Sequence, residues 1–131
     1  MIKTISTDKA PKAVGPYSQA VHANGFLFVS GQIPLNPATG EVLKGTPAQQ
    51  AELALNNLKA IIEAAGSSLE KVVKVTLYIT DMSKFSEINE VYGRFFKGPA
   101  LPARACVQVS ALPKGVDVEV DAIALLERNR R

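Results

Sequence analysis

From residue 47 to residue 65 the apolar side chains fall at 51, 54, 55, 58, 61, 62 and 65. That is the stripe of a 3.6-residue period, so the spacing predicts an amphipathic helix. Its start is marked by Thr46 as N-cap, Pro47 at the first helical position and Gln49 completing a T-x-x-Q capping box. Gly66 supplies a left-handed stop. A second helix is predicted over 84–97, with Phe85, Ile88, Val91, Tyr92, Phe95 and Phe96 on its stripe and Asp81 or Ser83 as cap.

Elsewhere the period drops to two. Strands are predicted at 4–6, 19–23, 26–32, 72–80, 104–110 and 118–125. Asn24-Gly25 joins the second and third as a hairpin turn. The order β-β-β-α-β-α-β-β predicts an α+β fold, with helices on one face of a mixed sheet. Alternation also sorts side chains by face. One set holds Leu27, Val29, Val73, Val75, Leu77, Ile79, Ala103, Ala105, Val107, Val109, Val118, Val120, Ala122 and Ala124. Being aliphatic, this set is expected beneath the two helices. The opposite set then gathers Phe26, Phe28, Ser30, Gln32, Lys74, Thr76, Tyr78, Arg104, Cys106, Glu119, Asp121 and Ile123 on a face left bare. A bare face of mixed character is a candidate contact between copies of the chain.

Composition narrows the chemistry. The chain has 131 residues, 47% hydrophobic and 21% charged, as expected of one globular domain, and its net charge is +3. No apolar run has the length of a membrane span, and the first twelve residues lack the apolar stretch of a signal peptide. A single cysteine, Cys106, forms no internal disulfide, so the cytoplasm is the expected location. One His and one Cys cannot build a Cys/His zinc site. His22, alone in an alternating segment, reads as a packing residue. The basic end, Arg128-Asn129-Arg130-Arg131, reads as a solvated terminus.

Two charged residues stand out inside apolar strands. Arg104 must find an acceptor, which is either a protein carboxylate such as Glu119 or Asp121, or the carboxylate of a ligand. Glu119 lies between Val118 and Val120, where burial would raise its pKa toward neutrality and suit it to proton transfer. Cys106 reads as a small packing residue. Ser30 precedes Gly31, where backbone can approach a ligand closely, and Gly15-Pro16-Tyr17-Ser18 is a turn presenting Tyr17.

The segments GPYSQAV (15–21), SGQIPLNPATGEV (30–42), INEVYGRFF (88–96) and PARACVQVSALPKGVDVEVDAIA (102–124) resemble the Rid family, the YjgF-type reactive intermediate deaminases. The likeness runs through the whole chain and is closest to the RidA-type imine/enamine deaminases. It implies one domain over 1–131, a chorismate-mutase-like fold, and a homotrimer with ligand clefts between adjacent subunits. It also implies that the last strand sits inside the sheet, beside the third and fourth, and not in a hairpin with the fifth. The implied reaction is hydrolysis of 2-imino or 2-enamino acids to 2-oxo acids and ammonia. Arg104 would hold the substrate carboxylate, and Glu119 would position water and shuttle protons. The backbone of Cys106 would hold the water or the leaving nitrogen, and Tyr17, Ser30, Gly31 and Asn89 would line the cleft. No metal or organic cofactor is implied, since an imine is already electrophilic. Two alternatives stand beside this reading: an endoribonuclease or translation inhibitor, and a non-catalytic regulator that binds small carboxylates. Few basic residues interleave with aromatics and Trp is absent, which gives RNA cleavage little support and makes nucleic acid and membrane unexpected partners.

Overall fold

The computed structural model describes residues 1–127; the basic end at 128–131 lies outside the described residues. Among the described residues, six strands form one sheet and two α-helices accompany it. In chain order these are β1 (Lys3–Ile5), β2 (Ala20–Ala23), β3 (Phe26–Gln32), α1 (Pro47–Ala64), β4 (Val72–Ile79), α2 (Phe85–Phe95), β5 (Ala103–Gln108) and β6 (Val118–Leu125).

Local chemistry sets the element ends as expected. At the start of α1 the Thr46 hydroxyl accepts from the Gln49 amide at 3.2 Å, and Gln49 Oε1 accepts from the Thr46 amide at 2.9 Å. Pro47 occupies the first turn, and Gly66 follows the helix at φ 95°. Asn24 and Gly25 take φ of 52° and 82°, so the β2–β3 hairpin turns with both central residues left-handed. The second helix departs from this: Asp81 caps a 3-10 turn over Met82–Lys84, and the N-cap of α2 itself is Lys84, which makes no side-chain capping bond.

Strand order is β1-β2-β3-β6-β4-β5. β6 runs antiparallel to both β3 and β4, deep inside the sheet as the family likeness implied. β5 lies at the edge, parallel to β4, because α2 carries the chain back over the sheet between them. The helices pack on one face only. Ala54, Leu55, Leu58, Ile61 and Ile62 of α1, with Ile88 and Val91 of α2, close over Leu27, Val75, Leu77, Ile79, Val118, Val120 and Ala124. Each fully buried Leu or Ile there contributes roughly 1.5–3 kcal/mol relative to exposure. Among the described residues no helix is long and apolar enough to cross a membrane.

Two bulges alter the expected faces. From Val29 to Gln32 β3 takes three residue steps against two of β6, from Ala122 to Val120. Gln32 is thereby turned to the helix side and buried, not grouped with Phe28 and Ser30 as strict alternation predicts. In β4 the extra residue falls between Val72 and Lys74. Val72 takes the core position and Val73 is exposed.

The larger correction concerns β5. Val75 of β4 stands opposite Arg104, Leu77 opposite Cys106 and Ile79 opposite Gln108. Residues opposite each other on a ladder share a face. Arg104, Cys106 and Gln108 therefore belong to the helix-bearing face, while Ala105 and Val107 sit beside Thr76 and Tyr78 on the bare one. The sequence expectation had these two sets reversed.

Candidate active site

The bare face carries Phe26, Phe28, Tyr78, Val107 and Ile123 around the carboxylates of Glu119 and Asp121. Phe28 of the inner strand β3 and Val107 of the edge strand β5 are each 42% exposed, which leaves an apolar patch open on this face. Asp121 is satisfied locally: the Tyr78 hydroxyl donates to its Oδ2 at 2.9 Å. Glu119, half-buried opposite Tyr78, faces a cleft instead.

That cleft is about 540 Å³, and Tyr17, Ser30, Gly31 and Glu119 all line it. Lys12 and Lys114 also stand on its wall, where composition alone gave no reason to single them out. The β3 bulge brings Ser30 and Gly31 to the mouth of the cleft, a common use of a bulge beside a site. The Ser30 hydroxyl donates to the Ser18 carbonyl at 2.6 Å, fastening β3 to the turn that presents Tyr17. Gln19 fixes the preceding segment by donating to the carbonyls of Thr7 and Pro11 and accepting from the Thr7 amide. Asn57 of α1 donates to the carbonyls of Ile33 and Leu35, which holds the cleft wall formed after β3.

Gly31 leaves room for the Glu119 carboxylate. A Cβ built at that position would overlap the Glu119 carboxylate. Burial pushes the Glu119 carboxyl above the usual carboxylate range, and the negative charge of Asp121 pushes it further in the same direction.

Arg104, Asn89 and Cys106 assemble elsewhere. Arg104 Nη1 donates to Asn89 Oδ1 at 2.6 Å. Its guanidinium carbon lies 4.8 Å from the ring centroid of Tyr92 and 5.5 Å from that of Phe85, both on α2. Among the described residues no carboxylate pairs with Arg104; the ion pair found is Arg94–Glu90, exposed on α2. An Arg–Glu119 or Arg–Asp121 bridge, the protein-internal alternative, is not formed. Cys106 is half-buried against the core, and burial raises its thiol pKa despite the opposing effect of Arg104. That keeps the thiol protonated near neutrality and argues against a thiolate nucleophile.

The predicted residues thus divide into two clusters on opposite sides of the sheet. One offers a guanidinium with donors to spare; the other offers a desolvated carboxylate in a cleft. Neither is a complete site by itself.

The family described as endoribonuclease L-PSP matches residues 7–126. A RutC family protein of Pyrococcus horikoshii is 53% identical over 127 residues, covering 97% of this chain and all of that protein. The mouse protein named 2-iminobutanoate/2-iminopropanoate deaminase is 48% identical over 123 residues, covering 94% of this chain and 90% of its own. Among solved structures, a Rid family protein of unknown function from Yersinia pestis superposes with a TM-score of 0.94 at 44% identity. The match covers 96% of this chain and all of that one.

Proposed function

Because this chain belongs to the endoribonuclease L-PSP family, the Rid family, we propose that it hydrolyses reactive 2-imino and 2-enamino acids to 2-oxo acids and ammonia. One observation carries the reading. A guanidinium without a carboxylate partner and a carboxyl of raised pKa are both preorganised, and each is left with an unfilled role. A small substrate with a carboxylate at one end and an imine at the other fills both.

Arg104 receives the substrate carboxylate. Asn89 occupies one of its five N–H donors, leaving others for a two-point grip. Glu119 acts as base toward a water in the cleft. It takes a proton as the water oxygen bonds to the imine carbon, while the imine nitrogen carries a proton and becomes an amine. It then returns the proton to that nitrogen, and as the C–N bond breaks it takes the proton of the new hydroxyl, so that ammonia and the 2-oxo acid leave and the carboxyl gives up its proton to solvent. An enamine enters the same route after protonation at its C3. The Cys106 backbone assists in holding water or the departing nitrogen, and Tyr17, Ser30, Gly31 and Asn89 enclose the substrate. A carbon–nitrogen double bond is already electrophilic, so positioning and one acid/base group suffice, without a cofactor.

The split arrangement supports self-association. Arg104 of one copy and Glu119 of the next converge if the β5 edge of one copy packs against the bare face of its neighbour, burying Phe28, Val107 and Ile123. We assign a homotrimer with sites between subunits, working in the cytoplasm.

The test is direct. Serine and a pyridoxal-phosphate dehydratase generate 2-aminoacrylate in situ, and pyruvate release is followed with and without this protein. The expected result is acceleration that Arg104→Ala abolishes; equal rates in all three samples overturn the proposal. Glu119→Gln separates enzyme from carboxylate-binding regulator: the enzyme loses turnover, whereas a regulator's ligand affinity is unmoved and it shows no turnover to lose.

A further inference from the structure

Arg104 projects from an edge strand and is exposed, a setting in which a long flexible cation samples many rotamers. Yet it is held. Its guanidinium carbon lies 4.8 Å from the Tyr92 ring centroid, inside the range of a cation–π attraction, and 5.5 Å from that of Phe85. Tyr92 is itself fixed: it is buried, and its ring stacks on Phe96 at 4.7 Å between centroids.

The Tyr92 hydroxyl is buried without a hydrogen-bond partner among the described residues. It therefore does not hold Arg104 by a hydrogen bond. The ring face is the part of Tyr92 that engages the guanidinium, and Asn89 takes Nη1 separately.

We infer that Tyr92, assisted by Phe85, is a positioning residue that fixes the plane of the Arg104 guanidinium for a ligand carboxylate, acting through its aromatic face. This rests on the proposed role of Arg104. An aromatic surface against a guanidinium leaves its edge donors free, and the edge is what a planar carboxylate engages. Fixing the side chain beforehand removes part of the ordering cost from the binding step.

The experiment reads carboxylate affinity apart from turnover. 2-Oxobutanoate, a small 2-oxo acid, is titrated calorimetrically into the wild type, Tyr92→Leu, Tyr92→Phe, Phe85→Leu and Arg104→Ala. Tyr92→Leu is expected to weaken binding about threefold to thirtyfold, and Tyr92→Phe, which restores the ring, to restore affinity. In the deaminase assay the Leu variant shows a raised KM with kcat largely kept, the signature of lost uniform binding. Wild-type affinity in Tyr92→Leu, or equal loss in the Leu and Phe variants, overturns the inference while leaving the role of Arg104 intact. Wild-type protein that binds no better than Arg104→Ala overturns the carboxylate reading and this inference with it. If Tyr92→Leu fails to fold by circular dichroism, Phe85→Leu decides: about twofold or greater weakening supports the clamp, and unchanged binding overturns it.

Discussion

Arg104 and Glu119 lie on opposite faces of one sheet, with β4 between their strands. Two interstrand steps separate them laterally by about 10 Å, with the sheet itself in the way. No single small molecule touches both within one protomer.

The first prediction concerns mixing. Arg104→Ala and Glu119→Gln should each be inactive alone. Dissociated together and reassembled, they should recover activity, because some interfaces pair an intact Arg104 with an intact Glu119. For random cyclic trimers, about a quarter of the sites are restored. Deaminase activity of the mixed and separately treated proteins is the measurement, and no recovery in verified mixed oligomers contradicts sites shared between subunits.

Arg104→Lys retains the charge but loses the planar fork and the fit to the Tyr92 ring. The expected fall in kcat/KM is about thirtyfold or more, as for truncating one partner of a desolvated charge pair. Steady-state kinetics with 2-iminopropanoate checks it; wild-type turnover by the Lys variant rules out two-point binding.

Gly31→Ala places a methyl where the Glu119 carboxylate now sits. Glu119 is the movable partner, so it should swing away while the strand persists. Misplacing a reacting group by an ångström costs on the order of 100-fold in rate. Activity and thermal melting together test this: lost turnover with a near-normal Tm is expected.

The pH profile follows from Glu119. Its carboxyl is raised by burial and then by Asp121, so the acid limb of kcat/KM should lie above the ordinary carboxylate range. Asp121→Asn removes the negative charge and should move that limb to lower pH. Stability carries the same sign. A carboxyl whose folded pKa exceeds its unfolded value contributes stability below the unfolded pKa, which is lost as pH rises through the folded one. Glu119→Gln should therefore melt higher than the wild type near neutrality, with the advantage vanishing as the solution is acidified through the carboxylate range.

Much of this was legible from the chain because the signals were local. The capping box at Thr46 and Gln49, the Asn24-Gly25 turn and the stripes of α1 and α2 are each written within a few residues. The placement of β6 was not local; it came from the family likeness, since a hairpin with β5 would have satisfied alternation equally well. The face of β5 was misjudged for a definite reason. Alternation says which residues share a face, not which face it is, and choosing the more aliphatic set assumes that the bare side is polar. Here that side is itself apolar around Phe28 and Val107, so Ala105 and Val107 belong there and Arg104 turns to α2. Single-residue bulges at Val73 and near Gly31 reset the phase in β4 and β3, which no period-two pattern anticipates.

The position of β6 also has a consequence for synthesis on the ribosome. Until residues 118–125 have emerged, β3 and β4 share no intervening strand, and the nascent chain holds the hairpin β2–β3 and the parallel pair β4–β5 as unconnected pieces. Each piece then exposes an open, apolar strand edge of the sort that recruits other chains. Closure is a single late insertion between two waiting edges. Any delay before residues 118–125 take their place prolongs the exposure of both edges.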